Sequence, residues 1–234
     1  MRLYLLQYGL SSDGVPIPGY LVQTSDGMNI LVDTGYPAEA IGTEPFPALQ
    51  ITSEDHVVQQ LARIGLTPAD IHSLVCTHFD SDHAGAHDLF PTAELIVQRQ
   101  HYDVAHSGAT DRFEIYRAHW DHPALHYRLI DGDTVLVPGV ELIDTSGHVL
   151  GHQSVLVRLP ETGPVLLAID AVPFVSQLDP ATYQPTPYDI DPVGAAAGVR
   201  KLQDLIVQEG VTLTICGHDA QQWATLRKIP AYYS

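Results

Sequence analysis

Residues 74–85 read Leu-Val-Cys-Thr-His-Phe-Asp-Ser-Asp-His-Ala-Gly. The stretch begins as a short apolar strand and passes directly into two histidines and two aspartates within six residues, namely His78, Asp80, Asp82 and His83. Imidazole and carboxylate groups are ligands that suit Zn, Fe or Mn. The turn can therefore direct two side chains towards one cation and two towards another, although a solvated acidic loop has the same composition.

Other polar positions also follow apolar segments that read as strands. They are Asp33 after residues 30–32, His148 after residues 142–143, Asp170 after residues 166–169 and His218 after residues 213–215. Rigid scaffolds present functional side chains from the loops at strand ends. We expect these side chains to converge on one point, which favours a metal site over a solvated loop.

The composition excludes several classes of protein. The chain has 234 residues, and its net charge is 11 − 28 = −17. An acidic surface repels phosphate groups, so we expect no nucleic-acid partner and no anionic membrane partner. The first ten residues lack a signal-peptide core and no apolar run approaches ~18 residues, so we expect a soluble, cytoplasmic protein. Two cysteines cannot form a disulfide framework, which suits a reducing compartment.

The pattern of apolar residues predicts an α/β fold. Strands are predicted at residues 3–7, 19–24, 28–32, 73–77, 95–98, 134–137, 140–144, 154–159, 165–169 and 211–215, and helices at 53–65 and 191–208. Residues 99–122 are polar, His-rich and only weakly helical. No Pro/Gly-rich linker divides the chain, so we predict one domain over residues 1–234. The element order indicates an αββα sandwich, with two mixed sheets flanked by helices.

The motifs resemble those of the metallo-β-lactamase superfamily, whose pattern is H-x-H-x-D-H followed by single His, Asp and His ligands. More narrowly, the chain resembles the N-acyl homoserine lactonases of that superfamily. The resemblance covers almost the whole chain in family order. The matching stretches are residues 30–35, 77–85, 145–154, 167–171 and 217–219.

This resemblance implies two divalent metal ions, with zinc expected first and Mn or Fe as alternatives. His78 and His148, together with Asp80, would hold the first ion. Asp82, His83 and His218 would hold the second, and Asp170 would bridge both. Asp82 and Asp170 would also be the catalytic carboxylates that hold a nucleophilic hydroxide and take its proton. Asp33 would hydrogen-bond a ligating histidine and fix its tautomer.

The chain departs from the lactonase pattern at two positions. Asp80 stands where the family has the second histidine of its motif, which adds a carboxylate near the ions and should make them weaker Lewis acids. Pro173 stands where the lactonases have a tyrosine that holds the substrate. Tyr183 and Tyr188 are candidates to replace that phenol, and Phe174 is a candidate substrate contact.

We therefore expect a metal-dependent hydrolase that opens a lactone ring, with N-acyl homoserine lactones as the first substrate class. One alternative is a broader ester, phosphotriester or thioester hydrolase on the same site. Another is a metal-binding protein with weak or no catalysis. A separate alternative for the site itself is that Asp80 weakens the first site and only one ion stays bound. The expected partner is a small lactone or ester, and residues 99–122 could form a homodimer surface or a substrate cap.

The remaining histidines and cysteines have simpler interpretations. His152 is expected to pack or to hydrogen-bond within the fold, and eight other histidines are expected at the surface: His56, His72, His87, His101, His106, His119, His122 and His126. Cys76 and Cys216 are expected to be buried and structural. The aromatic residues Phe46, Phe113, Tyr116, Trp120 and Phe174 either pack in the core or line an acyl-chain pocket.

Overall fold

The computed structural model describes residues 1–43 and 49–234, and it contains two mixed β-sheets. The first sheet has the strand order β4-β1-β2-β3-β5-β6-β7. Its strands are β1 (Arg2–Ser11), β2 (Pro16–Gln23), β3 (Asn29–Val32), β4 (Leu49–Gln50), β5 (Ser73–Val75), β6 (Glu94–Gln98) and β7 (His126–Ile130). Strands β4, β1, β2 and β3 pair antiparallel, whereas β3, β5, β6 and β7 pair parallel.

The second sheet has the strand order β12-β11-β10-β9-β8. Its strands are β8 (Thr134–Val137), β9 (Val140–Asp144), β10 (Gln153–Leu159), β11 (Gly163–Ile169) and β12 (Leu213–Cys216). The β11–β12 pair is parallel and the others are antiparallel. The carboxyl ends of β11 and β12 therefore lie at the same edge of this sheet, which brings the residues after them together.

Six α-helices lie within the described ranges. They are α1 (Val57–Ala62), α2 (Ser81–Ala84), α3 (Arg99–His106), α4 (Arg117–Trp120), α5 (Pro192–Glu209) and α6 (Ala220–Thr225). Short 3-10 turns occur at Ala38–Ala40, Ser53–Asp55, Pro68–Asp70, His87–Leu89 and Val175–Gln177. None of the helices in these ranges is both long enough and apolar enough to cross a membrane.

Helix α5 shows how local sequence sets the bounds of an element. The Asp191 side chain accepts hydrogen bonds from the backbone N–H groups of Val193 (3.1 Å) and Gly194 (3.0 Å), which caps the first turn. Pro192 occupies the first helical position, where its missing N–H costs nothing. Gly210 ends the helix with φ 61°, a left-handed conformation that glycine adopts without strain.

Alternating side chains of the strands form separate apolar layers. Between the two sheets, the inward-facing residues of β1 and β2 pack against those of β10 and β11; this layer includes Leu3, Leu5, Tyr20, Val22, Val155, Val157, Val165 and Leu167. On the outer face of the first sheet, Leu6, Leu21 and Leu74 contact the cluster that contains Val57 and Leu61 of α1. On the outer face of the second sheet, Leu156 and Leu166 pack in one cluster with Val199 and Leu202 of α5.

The predicted αββα sandwich with two mixed sheets is confirmed. The sequence analysis missed β7, because only one of its five residues is buried and its pattern lacks a continuous apolar run. The helix predicted over residues 53–65 is a 3-10 turn followed by the six-residue α1. Residues 99–122 contain α3 and α4, separated by a loop.

The helix α5 offers a matched test of this packing. Leu202→Ala should lower the free energy of unfolding by about 2–5 kcal/mol, because Leu202 is fully buried against the second sheet. Val207→Ala should leave it within about 0.5 kcal/mol of the wild-type value, because Val207 is 80% exposed on the same helix. Urea unfolding of the two variants measures the difference, and equal losses would contradict the packing of α5 described above.

Candidate metal centre

The side chains that the sequence analysis singled out meet where strands of both sheets end. Asp33 follows β3, His78 follows β5, Asp170 follows β11 and His218 follows β12. His148 lies in the loop between β9 and β10. Parallel pairing of β3 with β5 and of β11 with β12 aligns the strand ends within each sheet. Residues from the two sheets then meet at one place, as His83 and His218 do.

The imidazole and carboxylate groups form two clusters. One contains His78, His148 and Asp170, and the other contains Asp82, His83 and His218. Within each cluster one ligand atom per residue lies within 4.8 Å of the ligand atoms of the other two. Two histidines with one carboxylate form a set of donors that suits a divalent transition-metal ion.

Asp170 lies between the two clusters. Its Oδ2 is 3.8 Å from Nε2 of His78 and 3.5 Å from Nε2 of His148. Its Oδ1 is 3.7 Å from Nε2 of His83 and 3.2 Å from Nε2 of His218. Its Oδ2 also lies 3.2 Å from Nε2 of His218, so the carboxylate as a whole lies between the two histidine pairs, which is the position that a bridging ligand requires.

Hydrogen bonds orient the histidines that follow β5. The Nδ1 atom of His83 lies 2.8 Å from Oδ2 of Asp33, and Nδ1 of His78 lies 3.0 Å from Oγ1 of Thr77. The Thr77 hydroxyl donates to Oδ2 of Asp33 (2.7 Å), so it accepts from Nδ1–H of His78. Both rings thus carry their proton on Nδ1 and present Nε2 to the centre, as metal-ligating histidines do.

The other two histidines are held in the same way. Nδ1 of His148 lies 3.1 Å from Oδ1 of Asp189, and Nδ1 of His218 lies 2.9 Å from the backbone oxygen of Pro16. Asp189 is itself fixed, because its Oδ2 accepts from the backbone N–H of Thr186 (2.5 Å) and from the Tyr183 hydroxyl (3.3 Å). The sequence analysis did not identify Asp189, because its partner His148 lies 41 residues away along the chain.

Two buried nitrogens at the centre fit the coordination of a cation. Nε2 of His78 and Nε2 of His83 are inaccessible to solvent and have no hydrogen-bond partner among the described residues. A buried polar atom without a partner costs about 1–3 kcal/mol, so such atoms are rare in folded proteins. The donor set and these orphaned nitrogens together fit a pair of bound cations.

The backbone is strained on both sides of this centre. Asp33 has φ 60° and Ile169 has φ 52°, which are left-handed conformations that residues other than glycine seldom adopt. Each lies at the end of a strand, and Ile169 directly precedes Asp170. A Cβ atom on Gly217 would lie 2.8 Å from Oδ1 of Asp170, so only glycine leaves room for that carboxylate. Strain of this kind clusters at functional sites.

The carboxylates favour protonated imidazoles in the second cluster when no cation is bound. Burial opposes the charge on His83, but Asp82, Asp170 and Asp33 outweigh it and raise its pKa to about 10. Burial likewise opposes the charge on His218, but Asp170 raises its pKa to about 9. A bound cation would replace these protons, since a histidine must be neutral to act as a ligand.

Asp80 has a partner that the sequence analysis did not foresee. Its Oδ2 lies 3.2 Å from Nε2 of His78 and 3.3 Å from Nε2 of His148, at the border of the first cluster. Both of its oxygens accept hydrogen bonds from the guanidinium group of Arg112. Burial would raise the pKa of Asp80, but Arg112 together with His78 and His148 holds it well below its ordinary value. A single Arg in a polar, weakly patterned segment gave no signal in the sequence.

The candidate substrate residues have different environments. The Tyr183 side chain is buried and its hydroxyl bonds to Asp189, whereas Tyr188 is 68% exposed and Phe174 is 41% exposed. The backbone oxygen of Tyr188 accepts a hydrogen bond from Arg112. Among the aromatic residues considered for an acyl-chain pocket, Phe113 and Trp120 are buried in the core and Phe46 lies outside the described residues.

The surface assignment is wrong for two histidines. His101 is fully buried: its Nε2 accepts from the backbone N–H of Phe79 (2.8 Å) and its Nδ1 bonds to the backbone oxygen of Leu150 (2.8 Å). His87 is also fully buried, and burial lowers its pKa to about 3. His152 is buried and hydrogen-bonded to Thr145, in agreement with its expected packing role.

The cysteines have the buried environment expected of them. Cys76 is inaccessible and Cys216 is 2% exposed. Burial raises the pKa of the Cys216 thiol to about 12, and it raises that of Cys76 as well. A thiolate nucleophile needs a lowered pKa and access to solvent, so neither cysteine suits that role.

Comparison with known proteins identifies the family. Residues 13–218 match the model of the metallo-beta-lactamase superfamily, and the chain belongs to this superfamily. The N-acyl homoserine lactonase AiiA of Bacillus thuringiensis subsp. kurstaki is 35% identical, covering 93% of this chain and 87% of the relative. The N-acyl homoserine lactonase AttM of Rhizobium johnstonii is 32% identical, covering 100% of this chain and 99% of the relative.

A solved structure of an N-acyl homoserine lactone hydrolase, with the product N-hexanoyl-L-homoserine at its catalytic metal centre, superposes with a TM-score of 0.85. It is 30% identical to this chain, and the match covers 99% of this chain and 98% of that one. The resemblance that the sequence motifs indicated is therefore confirmed at the level of both family and fold.

Asp189 gives a test of the orientation of His148. If His148 is a metal ligand, Asp189→Asn should weaken binding of the first divalent ion about 10- to 100-fold, because the hydrogen bond that holds the His148 ring loses its charged acceptor. The control is Asp204→Asn, which removes the same charge from an exposed position on α5. Titration of the two metal-depleted variants with the divalent ion measures the affinity of each for that ion. Equal affinities in the two variants would contradict the role of Asp189.

The raised histidine pKa values predict how the stability of the metal-free chain depends on pH. A pKa raised on folding adds stability that is complete below the unfolded value of about 6.5 and is lost as pH rises through the folded value. For His83 and His218 that loss falls between pH 6.5 and about 10, and should reach the order of a few kcal/mol. Urea unfolding of the chelated chain at pH 6.5 and pH 9.5 measures it. Equal stability at both values would refute the linkage.

Proposed function

We propose that this chain is a metal-dependent hydrolase that opens the lactone ring of N-acyl homoserine lactones. The observation that carries the proposal is the position of Asp170 between two pairs of histidines, each oriented through Nδ1. The lactonase names of relatives at 32–35% identity over most of the chain, and the product bound in the similar structure, support the substrate class.

The ligand assignment follows from the two clusters. His78, His148 and Asp170 would hold the first ion, with Asp80 at its border. Asp82, His83 and His218 would hold the second, with Asp170 shared. Zinc is the first candidate because two histidines and one carboxylate per site suit it, and Mn or Fe would be tolerated by the oxygen ligands.

Bound divalent ions would polarise the ester carbonyl and make a water molecule nucleophilic near neutral pH. In the reaction the water oxygen bonds to the carbonyl carbon, and the ring C–O bond breaks. The proton released from water passes to the departing ring oxygen, which leaves a free acid and an alcohol in one product. Asp82 is suited to carry this proton, because its side chain remains 15% exposed at the mouth of the centre.

The chain lacks the phenol that the lactonase resemblance places at Pro173. Pro173 instead supplies its backbone oxygen to the N–H of His218 (2.8 Å), so this position supports a ligand. Tyr183 is engaged with Asp189 and would position that residue. The exposed rings of Tyr188 and Phe174 remain as candidate contacts for an acyl chain.

We propose a small lactone as the partner of this site and the cytoplasm as its location. We propose no nucleic-acid partner, because a net charge of −17 repels phosphate groups. We propose a homodimer as the assembly of this chain. We further propose that residues 1–234 act as one domain.

A broader ester, phosphotriester or thioester hydrolase is the second candidate function. It is favoured by Pro173 and Asp80, the two positions that differ from the lactonase pattern. A metal-binding protein with weak catalysis would use the same clusters.

A substrate panel with reloaded enzyme tests these functions. The chelated protein, reloaded with Zn, Mn or Fe, should bind about two ions per chain and open N-acyl homoserine lactones faster than it cleaves a phosphotriester or a thioester. Asp170→Asn should lower kcat/KM for the lactone at least about 100-fold, because it removes the shared carboxylate. Asp204→Asn is the control for the same chemical change at an exposed site. Faster phosphotriester turnover would favour the second candidate, and two bound ions without turnover would favour a binding protein.

A further inference from the structure

Arg112 reaches from the loop between α3 and α4 into the border of the first cluster. Its Nε donates to Oδ1 of Asp80 (2.6 Å) and its Nη2 donates to Oδ2 of the same carboxylate. Nη2 also lies 2.9 Å from Nε2 of His148, and Nη1 donates to the backbone oxygen of Tyr188 (2.5 Å). A guanidinium group can only donate, so this contact is a hydrogen bond when Nε2 of His148 is unprotonated, which is also the form that a metal ligand requires.

The loop around Arg112 is anchored by the core. Phe113 is buried beside it, and the backbone oxygen of Phe113 accepts a hydrogen bond from Nε1–H of Trp120 (3.0 Å). The backbone N–H of Arg112 donates to Oγ1 of Thr110 (3.1 Å). The Arg112 side chain is only 21% exposed, so the guanidinium group is held at the cluster by its surroundings.

The charges of this pair cancel. Asp80 contributes −1 and Arg112 contributes +1, so together they add no net charge beside the first cluster. A neutral imidazole, which the lactonase resemblance places at this position, also adds none. The sequence analysis expected the negative charge of Asp80 to make the first ion a weaker Lewis acid. The positive charge of Arg112 offsets that effect.

We propose that Arg112 is the built-in counter-ion of Asp80 and sets the affinity of the first metal site. The guanidinium group repels an incoming cation and occupies Nε2 of His148, which that cation needs. Without Arg112, Asp80 would add an uncompensated negative charge next to His78 and His148. This inference rests on the metal centre of the proposed function, and on no assumption about the substrate.

Binding of Zn²⁺ and Mn²⁺ to the chelated full-length chain tests the proposal. Competition with a chromophoric chelator gives both dissociation constants. Arg112→Met should tighten binding of the first ion at least about tenfold, because a unit charge a few ångströms away is removed from a largely buried site. Arg112→Gln serves if the Met variant fails to fold, and the same direction is expected. The control is Arg99→Met, which removes an exposed arginine paired with Asp131.

Substitution of Asp80, the partner of Arg112, completes a double-mutant cycle. Asp80→His leaves Arg112 unpaired and should weaken binding of the first ion at least about tenfold. Asp80→His combined with Arg112→Met should return the affinity to within about threefold of the wild-type value. The melting temperature of the chelated Arg112→Met protein should fall below that of Arg99→Met, because Asp80 is left buried without its partner.

Each outcome has a distinct consequence. Unchanged or weaker binding in both Arg112→Met and Arg112→Gln overturns the proposal, as does a double variant whose affinity for the first ion differs from the wild-type value by more than about threefold. The wild-type chain could bind two ions, and the variants could show the expected affinities, while no lactone is opened. That result refutes the proposed substrate and leaves the role of Arg112 standing. A wild-type chain that binds neither ion overturns both.

Discussion

The hydrogen bonds that hold each imidazole through Nδ1 are the constraint on which the whole site depends. Asp33, Thr77, Asp189 and the backbone oxygen of Pro16 each supply an acceptor, and they come from separate parts of the chain. With Nδ1 engaged, each of the four rings directs its Nε2 towards Asp170, and only Nε2 of His148 also contacts Arg112 among the described residues. Ring rotation would break a buried hydrogen bond, so the ligand geometry is set before any ion arrives.

Two sheets are needed to achieve this convergence. The first supplies Asp33 and the residues after β5, while the second supplies Asp170 and His218 from the ends of β11 and β12. The apolar layer between the sheets keeps these edges in register, because a shift of one residue would turn every inward side chain outward. The left-handed backbone at Asp33 and Ile169 is tolerated where this packing determines it from both sides.

The sequence predicted those parts of the site that depend on strand ends. The apolar segments before these residues led us to expect that their side chains converge, whereas the division of the ligands between two ions came from the family resemblance. The residues are His78, Asp82, His83, His148, Asp170 and His218. Asp189 and Arg112 could not be found in this way, because their partners are chosen by tertiary contacts across 41 and 32 residues. The same reason explains His101, whose polar context suggested the surface although both of its nitrogens bond inside the fold.

The pairing of Asp80 with Arg112 shows why a motif departure cannot be judged from the motif alone. Read in isolation, an aspartate in place of a histidine adds negative charge to a centre that already contains Asp82 and Asp170. In the fold, a guanidinium group from a loop that the sequence left unplaced accompanies that charge and balances it. The electrostatic energy of the ions depends on the sum of the charges around them. The Asp80–Arg112 pair has the same net charge of zero as the neutral histidine that the motif specifies.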